Sequence, residues 1–219
     1  MKFYDAHMHQ KNMECGGFLI GGYYGNGGVL NNKDILSLHD DKKQYIAFYH
    51  VDKQDISKVI THKYLKYHSR LEKYTCQNVC QSIALNQPKC VILDTLNEPF
   101  WQSKDYWDIA RMFPTIKFIM AHSGGYSINE FLKICHFQDN VYLDFSYTQN
   151  LLGGVANDVC LPYVSEAIVY AMRSVFKERI LFGSDYPWCQ QTPLVKFYEE
   201  KEWITSMNCN FLNLLEKIL

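Results

Sequence analysis

The sequence predicts an α/β fold, a compact (β/α)8 TIM barrel formed by one domain spanning residues 1–219. Short runs of β-branched and aromatic residues alternate with segments of helical periodicity, which is typical of parallel strands joined by crossover helices. A doubly wound open sheet would give the same alternation. A βα unit needs roughly 24 residues, so the chain holds eight units with little to spare, and eight strand candidates favour the barrel.

The strand candidates are bounded by turn residues, and most of them end next to a polar side chain. In chain order we predict strands at Lys2–Ala6, Phe18–Ile20, Tyr45–His50, Lys58–Thr61, Cys90–Leu93, Ile116–Ala121, Val141–Phe145 and Arg179–Phe182.

The predicted helices lie between these strands. Ser127 and Glu130 have the spacing of a capping box, and Pro162 suits the first position of a helix. We predict helices at Leu30–Leu38, Cys76–Leu85, Lys104–Met112, from Ser127, at Pro162–Phe176, and from Thr192 to the C-terminus with a break near Asn208–Asn210.

Composition excludes several classes of function. Hydrophobic residues make up 47% of the chain, charged residues 21%, and the formal net charge is -1. This balance gives no electrostatic footprint for nucleic acid, and no apolar run approaches the roughly 18 residues that a membrane span needs. With no signal-like start, we expect a cytoplasmic protein whose eight cysteines are reduced and whose partner is a small molecule.

Acidic and imidazole side chains collect at the predicted strand ends, where parallel barrels carry their functional residues. His7 and His9 follow the first strand with the period of two that puts both on one face. Asp94, His122 and Asp185 follow later strands. Each signal alone has an ordinary structural explanation, but together they predict a nitrogen and oxygen site for one divalent metal ion. Zn²⁺ is the preferred assignment, with Mn²⁺ and Fe²⁺ as alternatives.

Four segments resemble motifs of one enzyme group. They are Asp5–His9 (DAHMH), Ile116–Gly125 (IKFIMAHSGG), Val141–Ser146 (VYLDFS) and Arg179–Trp188 (RILFGSDYPW). In this order they are similar to the first, sixth, seventh and eighth strands of the amidohydrolase superfamily. They resemble in particular the amidohydrolase-related branch, which includes aminocarboxymuconate semialdehyde decarboxylase, related aromatic-acid decarboxylases and dicarboxylate lactonases.

The resemblance implies roles for individual residues. His7, His9 and Asp185 would be metal ligands, Asp185 would also accept a proton, and His122 would polarise the substrate or move a proton. Asp94 stands where the fifth strand usually ends in a histidine ligand, so we predict it as a further ligand.

Two departures from the family pattern bear on the number of metal ions and on catalysis. Ile60–Lys63 is similar to the fourth-strand K-x-H-P motif but has isoleucine at the lysine position, which implies no carbamylated lysine bridge and one metal rather than two. The chain also stops at Leu219, before the helix that commonly closes the family's barrel.

The favoured function is a mononuclear metal-dependent hydrolase that attacks a small amide, ester or lactone with a metal-bound hydroxide. We name His62, Arg70 and Trp188 as candidate substrate contacts, although Arg70 could instead form a surface pair with Glu72. Two alternatives stay open, a metal-dependent non-oxidative decarboxylase and a non-catalytic barrel that binds a ligand or partner. Cover for the site would come from loops near residues 16–28, 97–105 and 147–160 or from a second subunit, so a homo-oligomer also stays open.

Overall fold

Eight parallel strands form a nearly closed barrel with helices between them in a computed structural model, which describes residues 3–12, 15–22, 31–39, 44–96, 101–146, 162–189 and 191–219. Each strand pairs with its neighbours in chain order. The strands are β1 (Phe3–Met8), β2 (Cys15–Ile20), β3 (Tyr45–Val51), β4 (Tyr64–Tyr67), β5 (Cys90–Asp94), β6 (Lys117–Ala121), β7 (Val141–Asp144) and β8 (Ile180–Leu181). The predicted fold class is confirmed.

Backbone hydrogen bonds between β1 and the segment that follows β8 bring the two ends of the sheet together. Ala6 N donates to the Phe182 carbonyl at 2.8 Å, and Asp185 N donates to the His7 carbonyl at 2.9 Å. His9 N continues the ladder by donating to the Tyr186 carbonyl at 2.8 Å. The first and last strands of the chain are therefore neighbours, and the residues that follow them share one edge.

The helices cover the outside of the barrel. They are α1 (Asn32–Leu38), α2 (Ser69–Glu72), α3 (Cys76–Asn86), α4 (Ser103–Met112), α5 (Ile128–Phe137), α6 (Pro162–Arg173), α7 (Gln191–Glu200) and α8 (Ile204–Ile218). None of the helices in the described part of the chain has the length and apolar character to cross a membrane.

Side chains inside the barrel are apolar at the amino-terminal end of the strands, called the bottom here, and polar at the carboxyl-terminal end. Phe18, Phe48 and Tyr64 belong to a fully apolar interior cluster that α8 completes from below, and Phe211 of α8 stacks on Tyr4 with ring centroids 5.0 Å apart. Because alternate residues of a strand face the same side, the polar residues that end the interior rows lie at the opposite, carboxyl-terminal mouth.

A change of register in β1 lets His7 face the interior. The pairing of β1 with β2 shifts between Asp5 and Met8. Ala6 packs in the interior cluster, whereas Met8, two residues later, packs in the outer layer beneath the helices. Such a shift re-aims the side chains that follow it, so His7 points into the mouth.

Three sequence predictions need correction. The fourth strand is Tyr64–Tyr67 rather than Lys58–Thr61, and the break near the C-terminus falls at residues 201–203 rather than at Asn208–Asn210. The helix after Ser127 is present, but the Ser127 side chain makes no capping hydrogen bond. A fourth expectation, that the chain stops before a barrel-closing helix, is also wrong, because α8 packs against the interior cluster from below. Much of the three predicted covering loops, residues 23–28, 97–100 and 147–160, lies outside the described residues.

Candidate metal centre

The polar residues that end the interior rows converge at the carboxyl-terminal mouth of the barrel. All of them are at most 8% exposed, so water screens their charges little. They are His7, His9, His50, Lys66, His68, Asp94, His122, Asp144 and Asp185. Of the predicted site residues, the structure brings His7, His9, Asp94, His122 and Asp185 together here.

Two histidines of β1 converge on one carboxylate. His7 Nε2 and His9 Nε2 each lie 3.4 Å from Asp185 Oδ1. Ligands bound tetrahedrally to Zn²⁺ at about 2.1 Å would be separated by about 3.4 Å. His122 also comes close, since one ligand atom from each of His7, His122 and Asp185 lies within 4.8 Å of the other two. The donor set therefore fits a divalent metal ion.

Asp144 of β7 holds the first of these histidines from behind. Its Oδ2 lies 3.2 Å from His7 Nδ1, while its Oδ1 accepts hydrogen bonds from His122 N at 3.1 Å and Ser146 N at 2.9 Å. A carboxylate at Nδ1 fixes the tautomer that leaves the Nε2 lone pair free for a metal. Although its strand was recognised in the sequence, the orienting role of Asp144 was missed.

The protonation states of the cluster suit metal binding. Burial lowers the pKa of His9 to about 4 and also lowers the pKa of His7, so both rings are neutral near pH 7. Burial alone would raise the pKa of Asp185, but the hydrogen bond with His9 and the electrostatic interactions with His7 and His122 hold it below its usual value. Neutral imidazoles and an ionised carboxylate are the forms that bind metals.

The backbone at two site residues is strained. His122 and Asp185 have φ of 64° and 67°, in the left-handed region that residues other than glycine seldom adopt. Such a conformation costs on the order of 1–3 kcal/mol and persists only where the surrounding contacts impose it. Gly124 (φ +82°) completes the turn after β6, where a Cβ would lie 2.0 Å from the Phe131 ring.

A second group of charges faces the cluster across the mouth. Asp94 Oδ2 lies 3.4 Å from His122 Nε2 and 3.2 Å from His68 Nε2, and Asp94 Oδ1 lies 3.6 Å from Arg70 Nε. Burial alone would lower the pKa of His122, but its contact with Asp94 and the charges of Asp185 and Asp144 raise it. The predicted ligand Asp94 is thus outside the group of ligand atoms that includes His7 and Asp185, and it is a charge partner of His122.

Lys66 is a second residue of the mouth whose role the sequence analysis did not predict. It lies on β4 with its side chain 1% exposed, and its Nζ makes no hydrogen bond to the described residues. The sequence feature that could have revealed it is Lys66–His68, which reads K-x-H like the start of the family's fourth-strand motif. In the sequence analysis that motif was matched to Ile60–Lys63 instead. The argument for a single metal from an absent lysine is therefore wrong.

The three predicted substrate contacts have different positions. Trp188 is 41% exposed at the mouth, with its ring 4.6 Å from the His9 ring. Arg70 is also at the mouth. The alternative prediction, a surface pair of Arg70 with Glu72, is wrong, because Glu72 binds His50 Nε2 at 2.8 Å instead. His62 is not at the mouth. It precedes β4 at the amino-terminal end of the barrel and donates from Nε2 to the Ala47 carbonyl at 2.6 Å.

Known structures share this fold at low sequence identity. An uncharacterised TIM-barrel protein from Bordetella bronchiseptica has a TM-score of 0.72 and 12% identity, with 100% of this chain and 99% of that chain covered. An amidohydrolase from Burkholderia multivorans with bound zinc has a TM-score of 0.58 and 10% identity, with coverages of 93% and 82%. A probable 2-pyrone-4,6-dicarboxylic acid hydrolase from Acinetobacter baumannii with citric acid bound has a TM-score of 0.57 and 12% identity, with coverages of 100% and 99%.

Sequence comparison reaches the same group of proteins. No functionally curated protein matches the chain significantly. The family described as Amidohydrolase matches residues 95–208, just over half of the chain, a range that includes β6, β7, β8 and the turn with Asp185. The chain therefore belongs to the amidohydrolase family.

Proposed function

We propose that the protein is a hydrolase that uses one divalent metal ion, Zn²⁺, to cleave a small ester, lactone or amide. The observation that carries this proposal is the convergence of His7 Nε2 and His9 Nε2 on Asp185 Oδ1 at 3.4 Å each, at the barrel mouth. The bound zinc of the Burkholderia multivorans amidohydrolase, a protein of the same fold, supports the choice of metal. A metal held here would act as a Lewis acid and lower the pKa of a water molecule to about 7.

The residues around the metal would divide the work of hydrolysis. Asp185, ionised and in contact with both ligand histidines, is placed to accept the proton of the attacking water. His122, whose pKa is raised, would donate to the carbonyl oxygen that becomes negative. Asp94 would hold His122 in its protonated form, and the Ser146 carbonyl, 3.0 Å from His122 Nδ1, would orient the ring.

The charges at the mouth favour an anionic substrate. Three carboxylates, Asp94, Asp144 and Asp185, face Lys66, Arg70 and the protonated His122, so these charges cancel. A divalent metal would add two positive charges, which carboxylate groups of a substrate would balance. Lys66 Nζ and Arg70 Nε are both buried without a hydrogen bond to the described residues, so such a carboxylate would satisfy them. The dicarboxylic substrate named for the Acinetobacter baumannii hydrolase is of this class.

The same two cations favour non-oxidative decarboxylation as a second candidate. That reaction requires a carboxylate held next to the site where a proton is delivered, and Arg70 and His122 share the partner Asp94. Release of CO2 from an aromatic or unsaturated acid, without water being added to the remaining product, would identify it. Product analysis by mass spectrometry separates this outcome from hydrolysis.

The metal content of the purified protein tests the proposal first. We expect about one equivalent of Zn per chain after purification without added metal. Less than about half an equivalent of Zn, Mn or Fe, with no gain on reconstitution, would favour the non-catalytic alternative. Two equivalents would contradict a mononuclear site.

Two histidine variants then test the roles. We expect His9→Ala to lose metal and activity together, and His122→Ala to keep the metal and lose activity. His136→Ala, which removes an exposed histidine of α5, is the matched control and should change neither. Release of the metal by His122→Ala would make His122 a ligand and overturn the division of roles.

A further inference from the structure

The turn that carries His122 runs through the left-handed region of backbone conformation. His122, Ser123, Gly124 and Gly125 have φ of 64°, 47°, 82° and 55°. Glycine adopts such values without a steric cost, which explains the last two residues. A histidine and a serine adopt them only where neighbouring contacts impose the conformation. The position of the His122 imidazole therefore depends on the groups that hold this turn.

One side chain from the neighbouring strand contacts both ends of the strained segment. Thr95 directly follows β5, and its hydroxyl donates to the Ala121 carbonyl, which precedes His122. The same oxygen accepts a hydrogen bond from Gly124 N, which follows Ser123, at 2.8 Å. Thr95 is 3% exposed, so the two hydrogen bonds are shielded from water. The Thr95 hydroxyl thus closes the turn around the two strained residues.

Hydrogen bonds from the opposite side hold the same turn. His122 N donates to Asp144 Oδ1 at 3.1 Å, and the Ser123 hydroxyl donates to the Asp144 carbonyl. Asp144 ends β7, whereas Thr95 follows β5, and these two strands flank β6 in the sheet. The turn after β6 is therefore attached to both neighbouring strands, and Thr95 supplies the attachment of its backbone on the β5 side.

Asp94 and Thr95, which are consecutive, act on different parts of His122. Asp94 Oδ2 lies 3.4 Å from His122 Nε2, so it contacts the ring, whereas the Thr95 hydroxyl contacts the backbone on either side. The His122 ring also lies beside the His7 ring, with centroids 4.8 Å apart. We propose that Thr95 is a positioning residue, which fixes the turn so that the imidazole stays next to Asp94 and the metal ligands. This inference rests on the proposed function, in which His122 is the proton donor.

Replacing the hydroxyl with a methyl group of the same shape tests the proposal. We expect Thr95→Val to lower kcat by about 10- to 100-fold, because a displacement of about 1 Å in a catalytic group can have this effect. KM and zinc content should stay as in the wild type, since the proposed ligands lie on β1 and after β8. Thr95→Ser keeps the hydroxyl and should restore kcat to within about threefold. Thr75→Val, which removes an exposed threonine hydroxyl that caps α3, is the matched control and should keep full kcat.

Two further measurements do not depend on catalysis. NMR spectra of protein with isotopically labelled histidine show the His122 ring, whose signals are identified by their absence from His122→Ala. We expect these signals to shift in Thr95→Val and to return in Thr95→Ser, and Thr75→Val should leave them in place. Hydrogen exchange of the wild type measures Gly124 N–H, which the bond to Thr95 should protect. The exchange measurement stands even if Thr95→Val does not fold.

Four results would overturn the proposal. The first is a folded Thr95→Val variant with the kcat of the wild type, and the second is such a variant with unchanged His122 signals. The third is equal impairment of Thr95→Ser and Thr95→Val, because the hydroxyl would then not be the cause. The fourth is unprotected exchange of Gly124 N–H in the wild type. If the wild type hydrolyses none of the compounds tested, the proposed function fails, whereas the NMR spectra still decide whether Thr95 positions His122.

Discussion

Replacing Asp144 with asparagine should weaken metal binding through His7, although Asp144 itself is not a proposed ligand. Asp144 Oδ1 accepts hydrogen bonds from His122 N and Ser146 N and from the Ser146 hydroxyl. In Asp144→Asn the amide oxygen must occupy this position, because the amide nitrogen cannot accept. The amide nitrogen then takes the place of Oδ2, 3.2 Å from His7 Nδ1, and donates to it. His7 would carry its proton on Nε2, where it blocks the metal.

The expected loss follows from the value of such supporting contacts. Removing the partner of a metal-binding histidine lowers metal affinity by about 10- to 100-fold. This corresponds to about 1.4–2.7 kcal/mol. The fold should survive, since asparagine matches the shape of aspartate and keeps the hydrogen bonds to Oδ1. Activity at saturating metal should fall less than activity at limiting metal.

Competition of the protein with a chromogenic zinc chelator measures the affinity, and circular dichroism monitors the fold. Asp139→Asn is the matched control, because Asp139 is 97% exposed and its carboxylate contacts only Arg179 among the described ion pairs. We expect the control to bind zinc as the wild type does. A folded Asp144→Asn variant whose zinc affinity stays within threefold of the wild type would refute the assignment of His7 Nε2 as a ligand.

Three further predictions concern the mouth, the pH dependence and the base of the barrel. Arg70→Gln should raise KM for an anionic substrate by about 10- to 100-fold, which is the effect of losing one charge-assisted hydrogen bond. KM for the uncharged ester of the same compound should stay unchanged, and steady-state kinetics with both compounds test this. Burial lowers the pKa of His68 to about 3, so its neutral form stabilises the fold above pH 6.5 and that stability is lost as the pH falls. Urea titrations of the metal-free protein measure how far the free energy of unfolding falls between pH 7.5 and pH 5. This fall should be about 2 kcal/mol smaller in His68→Asn than in the wild type, and an equal fall in both would contradict a buried neutral ring. Phe211→Ala should cost about 3–5 kcal/mol of unfolding free energy, because Phe211 is 1% exposed and packs on Tyr4 and Phe18; a loss below 1 kcal/mol would mean that α8 does not seal the barrel.

The fold could be predicted because its signals are local. Runs such as Tyr45–Val51 and Cys90–Asp94 combine β-branched or aromatic residues with clear boundaries, and their order along the chain is also their order around the barrel. The prediction failed at β4, where Lys66 lies in the middle of a four-residue strand. A buried lysine is usually excluded from a strand on hydrophobicity, but here the interior row of β4 ends at the polar mouth.

The site could be predicted only as far as strand ends reveal it. His7, His9, His122 and Asp185 each follow a recognisable strand, and the structure brings them together. Contacts between residues on different strands could not be predicted from the spacing of residues in the sequence. Asp144 reaches His7 from a strand 137 residues away.

The contacts of Asp144 also bear on how this site could acquire new substrates. Its two oxygens connect β1 with the turns after β6 and β7. A change at this position therefore alters both the proposed metal ligand His7 and the proposed proton donor His122. Trp188 and Arg70 are 41% and 39% exposed and lie at the rim, outside this set of bonds. Substitutions at the rim can therefore change which molecule is accepted while the reactive centre stays assembled. The interior of the mouth limits the kind of reaction, and its edge is where selection for a different substrate would act.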